Sequence, residues 1–177
     1  MKKLLVIGLF IFIIILAACS NDKVVEPIYE GRDLKIAVIG EFPTVREKNI
    51  QFEEMTFDTW EIIGYNAIFI SQEYLSEAAN DDNVQKFKES KIPIFFLGTK
   101  ASYMPFMELN NTVTYEQFAK QVNDNENPIA GLLYKGEEQG YLGWTFSYPV
   151  VNSRMITSDK SGKIYSHVFN VIEELNL

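Results

Sequence analysis

Three short apolar runs dominate the pattern of hydrophobic and polar positions along the chain. They span Leu34–Gly40, Asn66–Ser71 and Lys91–Gly98, and each is rich in β-branched or aromatic residues and ends at glycine or serine. A continuous apolar run of this length is typical of a strand that is buried on both faces of a sheet. Pro93 lies near the start of the third run, where a missing backbone N–H is tolerated. The pattern therefore predicts three buried strands.

The segments between these runs carry the signals of shorter elements. Residues 50–57 alternate loosely and predict either an exposed strand or a helix. Asp58 and Glu61 have the spacing of a capping box for a helix over 59–64. Thr114 and Gln117 have the same spacing, which predicts a helix over 114–122. Two further helical pieces are predicted over 72–79 and 83–90.

The end of the chain predicts a hairpin followed by a helix. Ile129–Lys135 and Tyr141–Tyr148 flank a loop bounded by glycines, which is typical of antiparallel strands. From Ser161 to Leu175, apolar residues recur at helical spacing and predict one buried stripe. The elements together predict an α/β domain of three layers (α/β/α), with a mostly parallel central sheet, helices on both faces and a C-terminal hairpin plus helix. At the level of fold this pattern resembles the flavodoxin-like and Rossmann-like architectures.

The first nineteen residues have the layout of an export signal. Lys2 and Lys3 precede an apolar run over residues 4–15, and the sequence Leu-Ala-Ala-Cys follows at 16–19. This tetrapeptide resembles the lipobox of bacterial lipoproteins. The resemblance implies that Cys19 receives a diacylglyceryl group, that a signal peptidase cuts before it, and that the new N-terminus is held in lipid. The alternative is a membrane-spanning helix, which needs about 20 apolar residues and is disfavoured by the shorter run.

This interpretation divides the chain into three parts. They are a signal peptide over residues 1–18, a lipidated cysteine with a tether over 19–33, and a single α/β domain over 34–177. The tether contains Pro27 and Gly31 and has no sustained period, and a short edge strand around Val24 and Val25 is the alternative. A flexible segment of this length keeps its ends on the order of 20 Å apart. We therefore expect the mature protein to be attached to the outer face of the cytoplasmic membrane without spanning it.

The mature chain is strongly acidic. Removing residues 1–18 leaves 159 residues with 14 Lys and Arg against 24 Asp and Glu, a net charge of about −10. Such a chain is repelled by nucleic acid and by anionic lipid headgroups. With Cys19 acylated, no cysteine remains for disulfides, thiol redox chemistry or metal ligation. We expect no nucleic acid partner, no cofactor and no metal. The predicted partners are the membrane, through Cys19, and an envelope protein or small ligand.

Polar residues follow each of the three predicted buried strands at the point where it ends. They are Glu41, Ser71, Glu73, Thr99 and Lys100. Because ligands of open parallel sheets collect outside the carboxyl ends of the strands, these side chains form a candidate ligand crevice. Two carboxylates, two hydroxyls and an amine can hold a small polar ligand. The alternative is that these residues are polar because loops meet water.

Several familiar chemistries lack their signatures in this sequence. A receiver-like phosphoacceptor needs an aspartate where Ser71 stands, and a nucleotide needs a phosphate-binding loop where Glu41 stands. No serine has the surroundings of a nucleophile elbow. His167, the only histidine, falls within the last predicted helix, where a position at the edge of the core is favoured over catalysis. Asp81 and Asp82 lack partners at the spacing of metal ligands.

The predicted hairpin is rich in aromatic residues. Of these, Tyr141, Trp144 and Phe146 form a candidate interaction surface. Tyr141 and Trp144 are opposite in phase, so one face of the hairpin must be less buried than the other. Aromatic residues at a sheet edge can anchor a partner or a sugar ring. The alternative is that they belong to the core.

The leading functional hypothesis is a non-catalytic, lipid-anchored envelope lipoprotein that binds a protein or a small ligand. The alternative is a small envelope hydrolase that uses carboxylates at the strand-end crevice. Glu41, Glu73 and Lys100 in one pocket, with a raised carboxylate pKa, would favour the hydrolase. An open aromatic patch without such a pocket would favour the binding module.

Overall fold

A six-stranded sheet forms the centre of the structure, a computed structural model that describes residues 28–148, 150–151, 154–155 and 162–177. Its strands are β1 (Leu34–Ile39), β2 (Ile50–Glu54), β3 (Ala67–Ile70), β4 (Ile94–Leu97), β5 (Ile129–Tyr134) and β6 (Tyr141–Phe146). Two further short strands are β7 (Val150–Val151) and β8 (Arg154–Met155). The described residues contain four α-helices: α1 (Leu75–Ala78), α2 (Asp81–Glu89), α3 (Tyr115–Val122) and α4 (Lys163–Leu175). Short 3₁₀ helices cover Gln72–Tyr74 and Met104–Phe106. The predicted signal peptide, Cys19 and the tether up to residue 27 lie outside the described residues.

The strands of the main sheet run in the order β2-β1-β3-β4-β5-β6. The pairs β1–β2, β1–β3 and β3–β4 are parallel, whereas β4–β5 and β5–β6 are antiparallel. The register places Ile36 between Phe52 and Ala67, and Phe95 opposite Gly131. β7 and β8 form a separate antiparallel pair. The main sheet is therefore mixed, parallel in its first half and antiparallel in its second.

The prediction of a mostly parallel, flavodoxin-like or Rossmann-like three-layer fold is wrong. The predicted C-terminal hairpin, β5 and β6, pairs with β4 and becomes part of the central sheet in the antiparallel sense. In addition, the crossovers over residues 40–49 and 55–66 contain no helix. A parallel crossover takes a dozen or more residues when it carries a helix, and these two segments hold at most about that number.

Both faces of the three inner parallel strands, β1, β3 and β4, are buried except at Lys35, which explains their apolar sequences. On one face, Phe69 and Phe95 pack against α4, and the rings of Phe69 and Phe169 stack 6.3 Å apart. On the other face, Phe96 and Phe106 stack at 3.7 Å in a cluster that includes residues of α1 and α2. Each fully buried phenylalanine contributes roughly 1.5–3 kcal/mol of hydrophobic stabilisation. The predicted buried strands are confirmed as β1, β3 and β4.

The helix predicted over 59–64 is wrong, because local side chains close a turn there. The Thr56 N–H donates to the Thr59 hydroxyl oxygen, the Thr59 N–H donates to that of Thr56, and both distances are 3.1 Å. Glu61 accepts from the Ile63 N–H at 3.0 Å instead of reaching back to a helix start. Side chains of this kind compete with helical hydrogen bonds. Residues 50–57, predicted as either strand or helix, form β2 and the turn after it.

Two predicted helices are confirmed at the other end of the chain. Thr114 and Gln117 form the predicted capping box at the start of α3. α4 buries the predicted apolar stripe, including Ile164, Val168 and Ile172. Among the described residues, no helix combines the length and the apolar character that crossing a bilayer requires.

The described end of the predicted tether lies on the domain. Tyr29 is 3% exposed, its hydroxyl donates to the Arg32 carbonyl at 3.0 Å, and its N–H donates to Glu47 at 3.4 Å. Glu47 also accepts from Ser166 of α4, and the Arg32 N–H donates to Glu173 at 3.0 Å. These contacts join residues 29–32 to the first crossover and to α4.

Candidate functional site

A tight turn after β1 brings together three of the five predicted crevice residues. The Glu41 N–H donates to the Ser71 hydroxyl oxygen at 3.2 Å and to Glu73 Oε1 at 3.1 Å. The Ser71 hydroxyl donates to Glu73 Oε1 at 2.5 Å, and the Ser71 N–H donates to the Ile39 carbonyl at 3.0 Å. Because β1 and β3 are neighbouring parallel strands, their carboxyl ends lie side by side. This is where the strand-end rule places a ligand.

Gly40 is the residue that allows this turn to close. Its φ of +101° favours glycine, and a Cβ at this position would lie 1.9 Å from Ser71 Oγ and 2.5 Å from Glu73 Oε1. The ring of Tyr74 covers the same backbone, 2.9 Å from that Cβ position. Any side chain at position 40 would therefore push Ser71 and Glu73 out of the turn.

Glu73 is held as a negative charge. The hydrogen bond from Ser71 lowers the pKa of Glu73 and is the largest effect on it. Burial raises the pKa by less, and the N–H groups of Glu73 and Glu41 lower it further. A carboxylic acid that donates a proton at neutral pH needs a raised pKa. Glu73 is therefore arranged as a fixed anion and not as a general acid.

A cleft of about 460 Å³ opens beside this turn. Its apolar floor consists of Ile39, Met55 and Phe57, all of which are at least 95% buried. Tyr74 lines the wall and is 37% exposed. Carboxylates complete the lining, namely Glu41, Glu54, Asp58, Glu73 and Glu77. Among the described residues that line the cleft, none is basic. Lys86 donates to the Phe57 carbonyl at 2.8 Å, and the five carboxylates still leave an excess of negative charge around the cleft at neutral pH.

Sequence reasoning missed three of these acids, Glu54, Asp58 and Glu77. The signal for the first two lay in β2. β2 is a parallel neighbour of β1, and the Met55 N–H donates to the Val38 carbonyl at 2.8 Å, so the residues after β2 reach the same edge of the sheet. Because a helix remained the alternative for residues 50–57, the sequence alone did not place Glu54 and Asp58 at this edge.

Thr99 and Lys100 lie outside the cleft, although they follow β4. Gly98 has a φ of +71° and turns the chain. Thr99 is 1% exposed, and its hydroxyl donates to the Ser102 carbonyl at 3.0 Å. The Lys100 N–H donates to the Tyr115 hydroxyl oxygen at 3.3 Å, and Lys100 is exposed. The predicted crevice thus divides into a cleft beside β1 and β3 and a separate turn after β4.

Comparison of the chain with protein-family models, curated proteins and solved structures gives no match. The geometry of the chain itself must therefore identify the site. Within the described part of the chain, no group of three or more His, Cys, Asp or Glu side chains is placed to hold a metal ion. The carboxylates of the cleft are accordingly spread along its walls and do not converge on one point.

The predicted aromatic surface is divided between the two faces of β6. Trp144 and Phe146 pack on Phe95 of β4, with ring centroids about 6 Å away, and Phe146 is 8% exposed. Tyr141 lies on the opposite face, where its hydroxyl donates to the Met107 carbonyl at 2.6 Å. Burial raises the pKa of Tyr141 to about 12. These contacts fit the alternative that the aromatic residues belong to the core.

His167 lies on the exposed side of α4. It lines a groove of about 520 Å³ together with Ser147, Asn170 and Glu174. The Ser147 hydroxyl donates its proton to the side chain of Asn127 and not to the histidine. A serine–histidine pair with the geometry of a hydrolase is therefore not formed in this groove.

Proposed function

We propose that the protein is a lipid-anchored, extracytoplasmic lipoprotein that binds a positively charged ligand in the cleft without transforming it. The lipobox at Cys19 supports the anchoring. The position of the cleft beside the carboxyl ends of β1 and β3 supports a ligand site there. The observation that carries the proposal is the lining of the cleft, an apolar floor beneath five carboxylates.

The charge of the cleft determines the class of ligand. Two unit charges 4 Å apart interact by about 1 kcal/mol even in bulk water, and the apolar floor strengthens this interaction. Phosphates and carboxylates would be repelled. A ligand with an ammonium or guanidinium group beside an apolar part matches both the carboxylates and the floor, and its cation can also lie over the ring of Tyr74.

The hydrolase alternative has weaker support. It requires a carboxylic acid with a raised pKa, and the hydrogen bond from Ser71 lowers that of Glu73. It is also favoured only if Lys100 shares a pocket with Glu41 and Glu73, and Lys100 lies in the separate turn after β4. A binding module needs neither feature.

Calorimetry with two small probes tests the binding. The probes are N-acetyl-lysyl-phenylalanine amide and N-acetyl-glutamyl-phenylalanine amide, which have similar size and differ in the sign of one charge. The lipidated protein in detergent should bind the lysyl probe, more weakly as salt is added, and should not bind the glutamyl probe. Recovery of the lysyl probe unchanged after incubation is expected, and its cleavage would favour the hydrolase.

Two matched variants locate the site. Glu54→Gln/Glu77→Gln removes two charges from the cleft, each worth about 0.7 kcal/mol to a cation about 6 Å away in water. Together they should weaken binding of the lysyl probe about tenfold. Glu137→Gln/Glu138→Gln removes the same charge from the turn between β5 and β6 and should leave the affinity nearly unchanged. Equal losses in both variants would contradict binding in the cleft.

Mass spectrometry of protein from the native host tests the anchoring. The N-terminal peptide should begin at Cys19 and carry the mass of a diacylglyceryl group. The Cys19→Ala variant should lack this modification and leave the membrane fraction on cell breakage. An intact Met1 with an unmodified Cys19 would contradict the anchoring.

A further inference from the structure

The start of the described chain and the cleft lie on opposite sides of the sheet. Tyr29 belongs to the core cluster on the α4 side, with its ring 5.8 Å from that of Phe169. Met55 and Phe57, which form the floor of the cleft, belong to the cluster on the other side. A surface that residues 28–33 contact on the α4 side therefore lies across the sheet from the floor of the cleft.

Residues 28–33 and the crossover over 42–49 form one surface, which we call the anchor face. The side-chain amide of Asn49 donates to the Gly31 carbonyl at 2.8 Å, and the Tyr29 N–H donates to Glu47 at 3.4 Å. These hydrogen bonds fix the two segments to each other. The start of the described chain is therefore a fixed part of the domain surface.

The exposed side chains of the anchor face differ from those of the cleft. Ile28 is 48% exposed and Phe42 is 51% exposed, although both are large and apolar. Arg32 and Lys48 are exposed on the same segments and offset the charges of Glu30 and Asp33. In a mature chain of net charge about −10, this is a surface that an anionic bilayer can approach, whereas the carboxylates of the cleft are repelled by it.

The length of the chain between Cys19 and Ile28 limits how far Ile28 can lie from the bilayer. Eight residues separate Cys19 from Ile28. Their fully extended reach is at most about 30 Å. Six strands at a spacing of about 4.8 Å, with layers on both faces, give a domain roughly 30 Å across. Cys19 therefore keeps Ile28 within about one domain width of the bilayer.

We propose that the anchor face lies on the lipid headgroups and that the cleft opens toward the aqueous side. This inference rests on the lipid anchoring proposed above. Ile28 and Phe42 enter the headgroup region, where apolar side chains gain burial, and Arg32 and Lys48 meet anionic lipid. The ligand then reaches the cleft from outside without passing between the domain and the membrane.

Site-specific fluorescence quenching tests this orientation. Cys19 is the only cysteine and its sulfur would be acylated, so a new cysteine can be labelled selectively. Thr44→Cys places a label on the anchor face, and Gln85→Cys places one on α2, on the opposite side of the sheet. The lipidated variants are inserted into vesicles of phosphatidylethanolamine and phosphatidylglycerol with a nitroxide on some headgroups. Quenching at position 44 should be at least threefold stronger than at position 85.

A second pair and a flotation measurement make the outcome decisive. Lys48→Cys and Lys91→Cys replace two exposed lysines, of which only the first lies on the anchor face, and they should show the same order. Protein that fails to float with the vesicles would refute the anchoring and this inference together. Protein that floats, but is quenched equally at the two positions of either pair, would refute the orientation and leave the anchoring intact.

Discussion

Replacing Gly40 by alanine should destabilise the protein and open the turn that holds Ser71 and Glu73. The positive φ of +101° costs alanine about 1–2 kcal/mol. The new Cβ would also lie 1.9 Å from Ser71 Oγ, so the hydroxyl must move and the hydrogen bond from the Glu41 N–H is lost. That loss adds about 1 kcal/mol. The expected decrease in the free energy of unfolding is therefore about 2–3 kcal/mol.

Urea denaturation of Gly40→Ala and a matched control measures this decrease. Gly136 has a similar φ of +97°, and no atom lies within 4 Å of a Cβ built there. Gly136→Ala should therefore lose only the backbone cost of about 1–2 kcal/mol. In thermal unfolding these losses should lower the Tm by about 8 °C for Gly40→Ala and about 4 °C for Gly136→Ala. Equal losses in the two variants would refute the argument from close contact.

A double-mutant cycle identifies the group that the new Cβ meets. Ser71→Ala removes the oxygen that lies 1.9 Å from the Cβ position. The cost of Gly40→Ala should therefore be about 1 kcal/mol smaller in the Ser71→Ala background than in the wild type. An unchanged cost would show that Ser71 does not limit the space at position 40.

Two further predictions concern groups elsewhere in the domain. Burial raises the pKa of Tyr141 to about 12 from an ordinary value near 10. The neutral side chain therefore stabilises the folded protein fully below pH 10, and the free energy of unfolding should fall between pH 10 and pH 12. Denaturation series across this range should show a smaller fall for Tyr141→Phe, and an equal fall would contradict the assignment. Ser166→Ala removes a hydroxyl that donates to the buried carboxylate of Glu47, which should cost about 1–3 kcal/mol in urea denaturation. Ser147→Ala, at an exposed hydroxyl, should cost less than about 0.5 kcal/mol, and a similar loss in both variants would count against the network.

The strands that the sequence predicted well are those in which nearly every position is buried. In β1, Ile36 and Val38 face α4 while Ala37 and Ile39 face the opposite cluster, so apolar residues are required at these four positions. A continuous apolar run of this length has few interpretations other than a strand buried on both faces. β2 was uncertain because it lies at the edge of the sheet and alternates between half-buried and exposed residues.

The direction of β5 could not be predicted from its own residues. Its apolar sequence fits a buried strand in either sense, and the sense is set by contacts far apart in the chain. Gly131 lies opposite Phe95, where a Cβ would approach the Phe95 ring to 2.5 Å, and Trp144 packs on the same ring. These contacts decide the pairing of β4 with β5, and no local period reveals them. The prediction of a mostly parallel sheet was wrong for this reason.

The failed helix prediction and the candidate site have the same cause. The hydroxyl oxygens of Thr56 and Thr59 each accept a hydrogen bond from the other residue's N–H, so the crossover after β2 forms a turn and not a helix. Because the chain turns here, Met55 and Phe57 stay beside the carboxyl end of β1 as an apolar floor, and Asp58 stays at the rim. A helix beginning at Thr59 would carry the following residues along a different path. The hydrogen bonds between Thr56 and Thr59, which a helical capping pattern does not anticipate, therefore close the turn that carries Phe57 and Asp58 of the cleft.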